Sequence, residues 1–163
     1  MPDMYSYLEW LQGTWLSTLV RDTDWAFPMI EMVHLFGIVT LVGTTLALDL
    51  RLMNRWLRPW PVSLLMRRLL PWSWAAFVVM VLTGSGLFVS DPLRFFYNPS
   101  FRIKMLLIVL AGLNAFFFQV TAFRSLEKWD SSGDTPWGAK IAGLCSLVLW
   151  FGIVAAGRWI AFV

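Results

Sequence analysis

"PMIEMVHLFG", residues 28–37, places the single histidine of the chain, His34, three residues after Glu31 in an otherwise apolar run. A neutral imidazole can ligate a metal or haem iron through one ring nitrogen, while a carboxylate holds the other and fixes the tautomer. Two further stretches carry cations among apolar residues: "FRIKMLL" with Arg102 and Lys104, and "AAGRWIAF" with Arg158. Cationic groups at the mouth of an apolar pocket suit a flat molecule with acidic edges, which is the chemistry of haem and its propionates. One histidine supplies one strong axial ligand. Met80, Lys104, a partner chain or an open position would complete the iron's shell. The candidate cofactor set is therefore His34, Glu31, Lys104, Arg158, Arg102 and Met80, with His34 the candidate metal ligand and haem b the cofactor it would bind. The sequence contains no nucleophile–base–acid set, so no catalytic residue is assigned.

The same residues support two other readings. Glu31 paired with Lys104 or Arg158, and His34 hydrogen-bonded across helices, would lock the bundle together without any cofactor, as in a non-catalytic membrane subunit or scaffold. In that case, replacing one partner costs more than replacing both. Met29, Met32, Met80 and Met105 with His34 make a soft-ligand set for Cu(I), which points to a small copper or proton transporter. Methionine is also ordinary filling in apolar helices, and no Met-x-x-Met array recurs. "SGDTPWGAK", residues 132–140, lacks phosphate-loop spacing and reads as a loop.

The elements that must position these residues follow from composition. Of 163 residues, 58% are hydrophobic and 14% charged, whereas a soluble domain is about half apolar and a quarter charged. The chain is an integral membrane protein of one membrane domain, residues 1–163, in contact with the lipid bilayer. Its net charge of +3 does not imply nucleic acid, because the basic residues flank apolar runs and set topology there. Cys145 stands alone, so no intrachain disulfide forms. "MPDMYSYLEW" has neither a basic n-region nor an apolar h-region, and no cleavable signal peptide is expected. A homo-oligomer or a membrane partner is compatible with the sequence.

Four runs reach the roughly 20 residues that a membrane helix needs: about 26–48, 69–90, 101–123 and 141–162. Their unbroken apolar length excludes strands. Ahead of them, Tyr5, Leu8, Leu11, Trp15 and Leu19 share one side of an amphipathic helix over about 4–20. The predicted fold is an all-α four-transmembrane-helix bundle preceded by that helix, with sequential spans antiparallel. Trp25, Trp56, Trp60, Trp72, Trp129, Trp137 and Trp159 fall near span ends as interface anchors. Arg51, Arg55, Arg58, Arg67 and Arg68 lie between the first two spans, and Arg124, Lys128 and Lys140 between the last two. These loops are expected on the cytoplasmic side of a bacterial inner membrane, with both termini outside.

At 100° per residue, Glu31 and Asp49 project in the same direction, with Thr45 about 40° and His34 about 60° away. The four make one stripe that must face the bundle interior, since a charge facing lipid costs several kcal/mol. Counting from the outer end puts His34 roughly 12 Å deep, level with Thr83 and Met80 of the second span and near Lys104, Arg102 and Arg158. "DLRL", residues 49–52, reads as a boundary pair at the helix end. Asn114 and Gln119 read as interhelical hydrogen-bonders. Gly37, Gly43, Gly84, Gly86, Gly112, Gly152 and Gly157 mark packing seams.

Three stretches, "PMIEMVHLFGIVTLVGTTLALDLRL", "AFVVMVLTGSGLF" and "NPSFRIKMLLIVLAGLNA", resemble a family of small bacterial four-helix membrane proteins of unknown function. The likeness covers the first three spans in order. "VHLFGIVTLVG" and "FRIKMLL" are also similar to the membrane-embedded, haem-binding protoporphyrinogen oxidase of bacteria, and more generally to the membrane part of copper-resistance protein D. That resemblance implies a role for His34 and Lys104 in haem binding and catalysis, and hence electron transfer or porphyrin oxidation.

Overall fold

Apolar runs without alternation can satisfy their backbone groups in lipid only as helices. The computed structural model shows them so. It describes residues 3–130 and 135–162, without the side chains of residues 127 and 128. The start of the expected loop over 132–140 thus lies outside the described residues. α1 (Met4–Gln12) and α2 (Trp15–Asp22) precede the first span, α3 (Ala26–Leu52). The second span, α4 (Val62–Ser90), leads through the short α5 (Pro92–Tyr97) to the third, α6 (Pro99–Val120). A 3₁₀ turn, Phe123–Ser125, and α7 (Leu126–Trp129) connect to the fourth, α8 (Trp137–Trp159). All regular structure among the described residues is helical, and four helices are long and apolar enough to cross a bilayer. The chain is a multi-pass membrane protein with four candidate spans, and its first and last described helices lie at the same end of the bundle.

The span starts follow from caps. Asn98 Oδ1 accepts the Phe101 N–H at 3.1 Å, and Pro99 occupies the first helical position of α6. α4 starts at Val62 and not near 69, because Asp130 Oδ1 accepts the N–H groups of Val62 (2.6 Å) and Ser63 (3.3 Å). A carboxylate at a helix N-terminus satisfies free donors and favours the helix dipole.

The expected amphipathic helix is two helices. Gly13 ends α1, its N–H bonding back to Glu9 O and Trp10 O at 3.1 Å each, and the Thr14 hydroxyl oxygen then accepts the Ser17 N–H to start α2. The break rotates one half against the other. Leu8 is buried, but Tyr5, Trp15 and Leu19 are exposed, and α2 buries Ser17 and Val20 instead. Ser17 Oγ donates to Ser90 O, which docks α2 on the end of α4.

Around the bundle, α3 packs on α4 and α8, and α8 packs on α6; α4 and α6 share no comparable seam. Two plugs hold that open side together at its ends. At the end carrying the termini, the rings of Phe88, Phe95 and Phe101 join α4, α5 and α6 at centroid distances of 5.4–6.4 Å. At the opposite end, Leu52, Val62, Met66, Leu126 and Trp129 belong to a buried hydrophobic cluster. Trp129 is therefore not an interface anchor. It is buried, and its indole N–H donates to Ala122 O at 3.2 Å. Trp25, Trp56, Trp60, Trp137 and Trp159 are exposed near span ends, whereas Trp72, also exposed, lies well inside α4 because that helix starts at Val62.

Candidate functional site

The stripe of α3 faces inward, but it does not make one site. It lines two cavities, of about 690 Å³ at the end carrying the termini and about 520 Å³ at the other. Glu31 and His34 line the first, Thr45 and Asp49 the second. Leu41 and Trp150 line both and so form the partition.

In the first cavity His34 is buried, and its Nδ1 lies 2.8 Å from Thr83 Oγ1. The Thr83 hydroxyl donates its own proton to Val79 O at 2.6 Å. Thr83 therefore accepts from His34 Nδ1–H, and this fixes the tautomer with the lone pair on Nε2. Among the described residues Nε2 has no hydrogen-bond partner. The ring rests on Gly84, where a Cβ would lie 3.3 Å from Cε1. A Cβ there would push the ring back from α4, so glycine favours this close approach.

Glu31 does not orient His34, contrary to the expectation from spacing. It is exposed at the cavity rim and makes no hydrogen bond or ion pair, the single ion pair among the described residues being Arg21–Asp22 at 3.0 Å. The imidazole instead points toward α4, where Thr83 lies at its depth. The structural ion pair of Glu31 with Lys104 or Arg158 is likewise not formed.

Lys104 enters from α6 with its stem along Gly157 of α8, where a Cβ would lie 3.7–3.8 Å from Nζ, Cε and Cδ. Arg158 lines the same cavity with its guanidinium carbon 4.9 Å from the centre of the Phe162 ring. Arg102 does not line it. Two residues before Lys104, it projects about 200° away around the helix and is exposed. Its place is taken by Arg94 of α5, which sequence reasoning missed. The signal was present in "SDPLRFF": the Asp91 carboxylate accepts the Arg94 N–H at 3.3 Å and Pro92 starts the helix. Met80 lines the cavity, but its Cγ and Sδ pack on Gly37, where a Cβ would lie 3.1 Å from both. It thus sits on the α3–α4 wall that also carries His34. Met29, Met32 and Met105 are exposed and outside the cavity lining, so the methionines do not assemble around His34. No group of three or more His, Cys, Asp and Glu among the described residues could hold a metal ion.

The second cavity is built around Asp49, which is 6% exposed and whose Oδ2 is buried without a hydrogen-bond partner among the described residues. The "DLRL" boundary pair is not made. Arg51 turns into the loop, donating to Trp60 O at 2.7 Å and to Asn54 Oδ1 at 3.0 Å. Other polar groups nearby are already engaged: Thr45 Oγ1 donates to Leu41 O at 2.8 Å, and Ser73 Oγ to Thr44 Oγ1 at 2.8 Å. Asn114 Nδ2 donates to Ala142 O at 3.0 Å, bridging α6 and α8. Gln119 lines the cavity with no side-chain hydrogen bond among the described residues. Gly143 closes this end of the α3–α8 contact, since a Cβ there would meet Asp49 O at 3.1 Å.

These features define a four-span membrane protein with two internal cavities stacked along α3. Over residues 7–163 the chain matches a family of unknown function (DUF6644), and it belongs to that family. No curated protein and no solved structure matches it.

Proposed function

We propose that the first cavity binds a b-type haem or a related porphyrin, and that the protein works in electron transfer or porphyrin oxidation in a bacterial inner membrane. One observation carries the reading: the chain His34 Nδ1–H to Thr83 Oγ1–H to Val79 O presents Nε2 as the free lone pair. A metal-ligating histidine is held in this way, through its second nitrogen. The residues present fit the group. The cavity's size lies in the range of cofactor pockets. Its walls are apolar, and Lys104, Arg94 and Arg158 gather where acidic edges would lie. Lys104 comes from α6, across from the α3–α4 wall that carries His34 and Met80, and would help to hold the group from that side.

When bound, haem supplies one-electron chemistry. The chain's own part is to hold the group through His34, to neutralise its acidic edges, and to keep water out with the Phe88–Phe95–Phe101 plug. Glu31, unpaired at the rim, is free to accept a hydrogen bond from a bound molecule. The arginine- and lysine-bearing connections α3–α4 and α6–α8 orient to the cytoplasm, so this cavity lies in the outer half of the membrane. The helix-locking alternative keeps the His34–Thr83 hydrogen bond between α3 and α4, but its ion pair at Glu31 is not made among the described residues.

The test is an absorption spectrum of the detergent-purified protein, oxidised and reduced, before and after titration with haemin. A saturable Soret band that shifts on reduction and is lost in His34→Ala is expected. Absence of the band after titration overturns the proposal.

A further inference from the structure

The second cavity supports an inference independent of the first, resting on different residues about 22 Å further along α3 at 1.5 Å per residue. A buried acceptor without a donor is rare in a folded protein, and Asp49 Oδ2 is such an acceptor, facing a cavity of about 520 Å³. The surrounding surface is largely apolar and aromatic, with Trp74 and Phe77 from α4, Phe116 from α6 and Trp150 from α8. Flat side chains of this kind accept a flat ring between them. α4 and α6 both line the cavity without packing on each other between the two plugs. The way in is therefore from the lipid, between those helices.

We infer that this cavity binds a neutral, lipid-soluble ring bearing hydroxyl groups, a quinol in the simplest case, with one hydroxyl donating to Asp49 Oδ2. The distribution of polar groups selects the hydroxyl over an ammonium. An ammonium brings three donors and needs acceptors gathered around one point. Among the described residues Asp49 is the sole acidic one lining the cavity; the Ser146 hydroxyl of α8 interacts with its carboxylate but leaves Oδ2 without a partner, and the Gln119 amide sits on α6, diagonally across the bundle. A ring with oxygens on opposite edges meets an acceptor at Asp49 and a donor at Gln119. The partition of Leu41 and Trp150 keeps this ring separate from the His34 cavity.

The test uses the full chain in lipid nanodiscs, titrated with a decyl-tailed benzoquinol, with the dimethyl ether of that quinol, and with dodecylamine. The ether keeps ring and tail but has no O–H to donate. Saturable quinol binding is expected, weaker for the ether by about tenfold or more. Asp49→Leu lowers quinol affinity by a similar factor, Gln119→Leu by less, and His34→Ala leaves it unchanged. Equal affinity for quinol and ether overturns the inference, as does wild-type quinol affinity in Asp49→Leu. Tighter binding of dodecylamine than of quinol replaces it with a cation site. The quinol–ether comparison is made on the wild-type chain and stands even if a variant does not fold. Loss of haemin binding in the first cavity would leave this result untouched, so the two proposals fail separately.

Discussion

His34 and Asp49 lie on one face of one helix, each in its own cavity, and the protein treats them in opposite ways. His34 is built in. Its ring rests on Gly84, one nitrogen donates to Thr83, and the Thr83 hydroxyl donates in turn to a backbone carbonyl. Asp49 is equally buried, but among the described residues Oδ2 is left without a partner, and the neighbouring Arg51 turns away from it. A satisfied group is held in one geometry and tolerates burial. An unsatisfied one costs stability until something binds. The His34 end therefore reads as a rigid holder, and the Asp49 end as a site completed by a visitor from the membrane.

The largest blow to this contrast is Gly84→Leu. A Cβ at 3.3 Å already crowds the imidazole, and a full side chain pushes it off Thr83. Overpacking of this kind costs about 1–3 kcal/mol, read as a lower unfolding midpoint in detergent together with lost haemin binding. Wild-type haemin affinity in this variant would show that the ring's seat on α4 is irrelevant. Next is Thr83→Val, which keeps the shape and removes the acceptor. It leaves a buried N–H unpaired, at about 1–2 kcal/mol, and weakens haemin binding by about 10–100-fold, with Thr83→Ser restoring both. Asp49→Leu changes stability in the other direction, raising it by about 1 kcal/mol, because an apolar side chain replaces an unpaired polar one. A clear loss of stability would mean that Oδ2 has a partner after all. The smallest effect is at Glu31. Glu31→Gln shifts the midpoint by no more than about 0.5 kcal/mol, and a double-mutant cycle with Lys104→Met gives a coupling near zero.

Much of this contrast is legible in the residues and their spacing. The angular positions of Glu31, His34, Thr45 and Asp49 follow from the helical period, and counting depth brings His34 level with Thr83 and Met80. The same arithmetic is enough to remove Arg102, since a residue two positions from Lys104 cannot share its face. Arg94 is harder to see because it sits on a six-residue helix between spans, where no apolar period marks it. The N-terminal stripe fails at Gly13, because a periodicity count assumes one continuous helix.

The sequence by itself determined that the chain is all-helical and crosses the membrane four times, because apolar length and backbone satisfaction in lipid leave no other structure. It also determined which way each side chain projects from its own helix. The tertiary structure decided what each side chain meets: Thr83 for His34, no described residue for Asp49 Oδ2, Gly157 for Lys104, and Asp130 for the start of α4. It also decided that Leu41 and Trp150 divide one stripe into two cavities. The reason is geometric. Residue order dictates rotation about a helix's own axis, whereas the partner of a residue depends on the tilt, rotation and depth of other helices. Those are set only when small residues and side chains pack against one another.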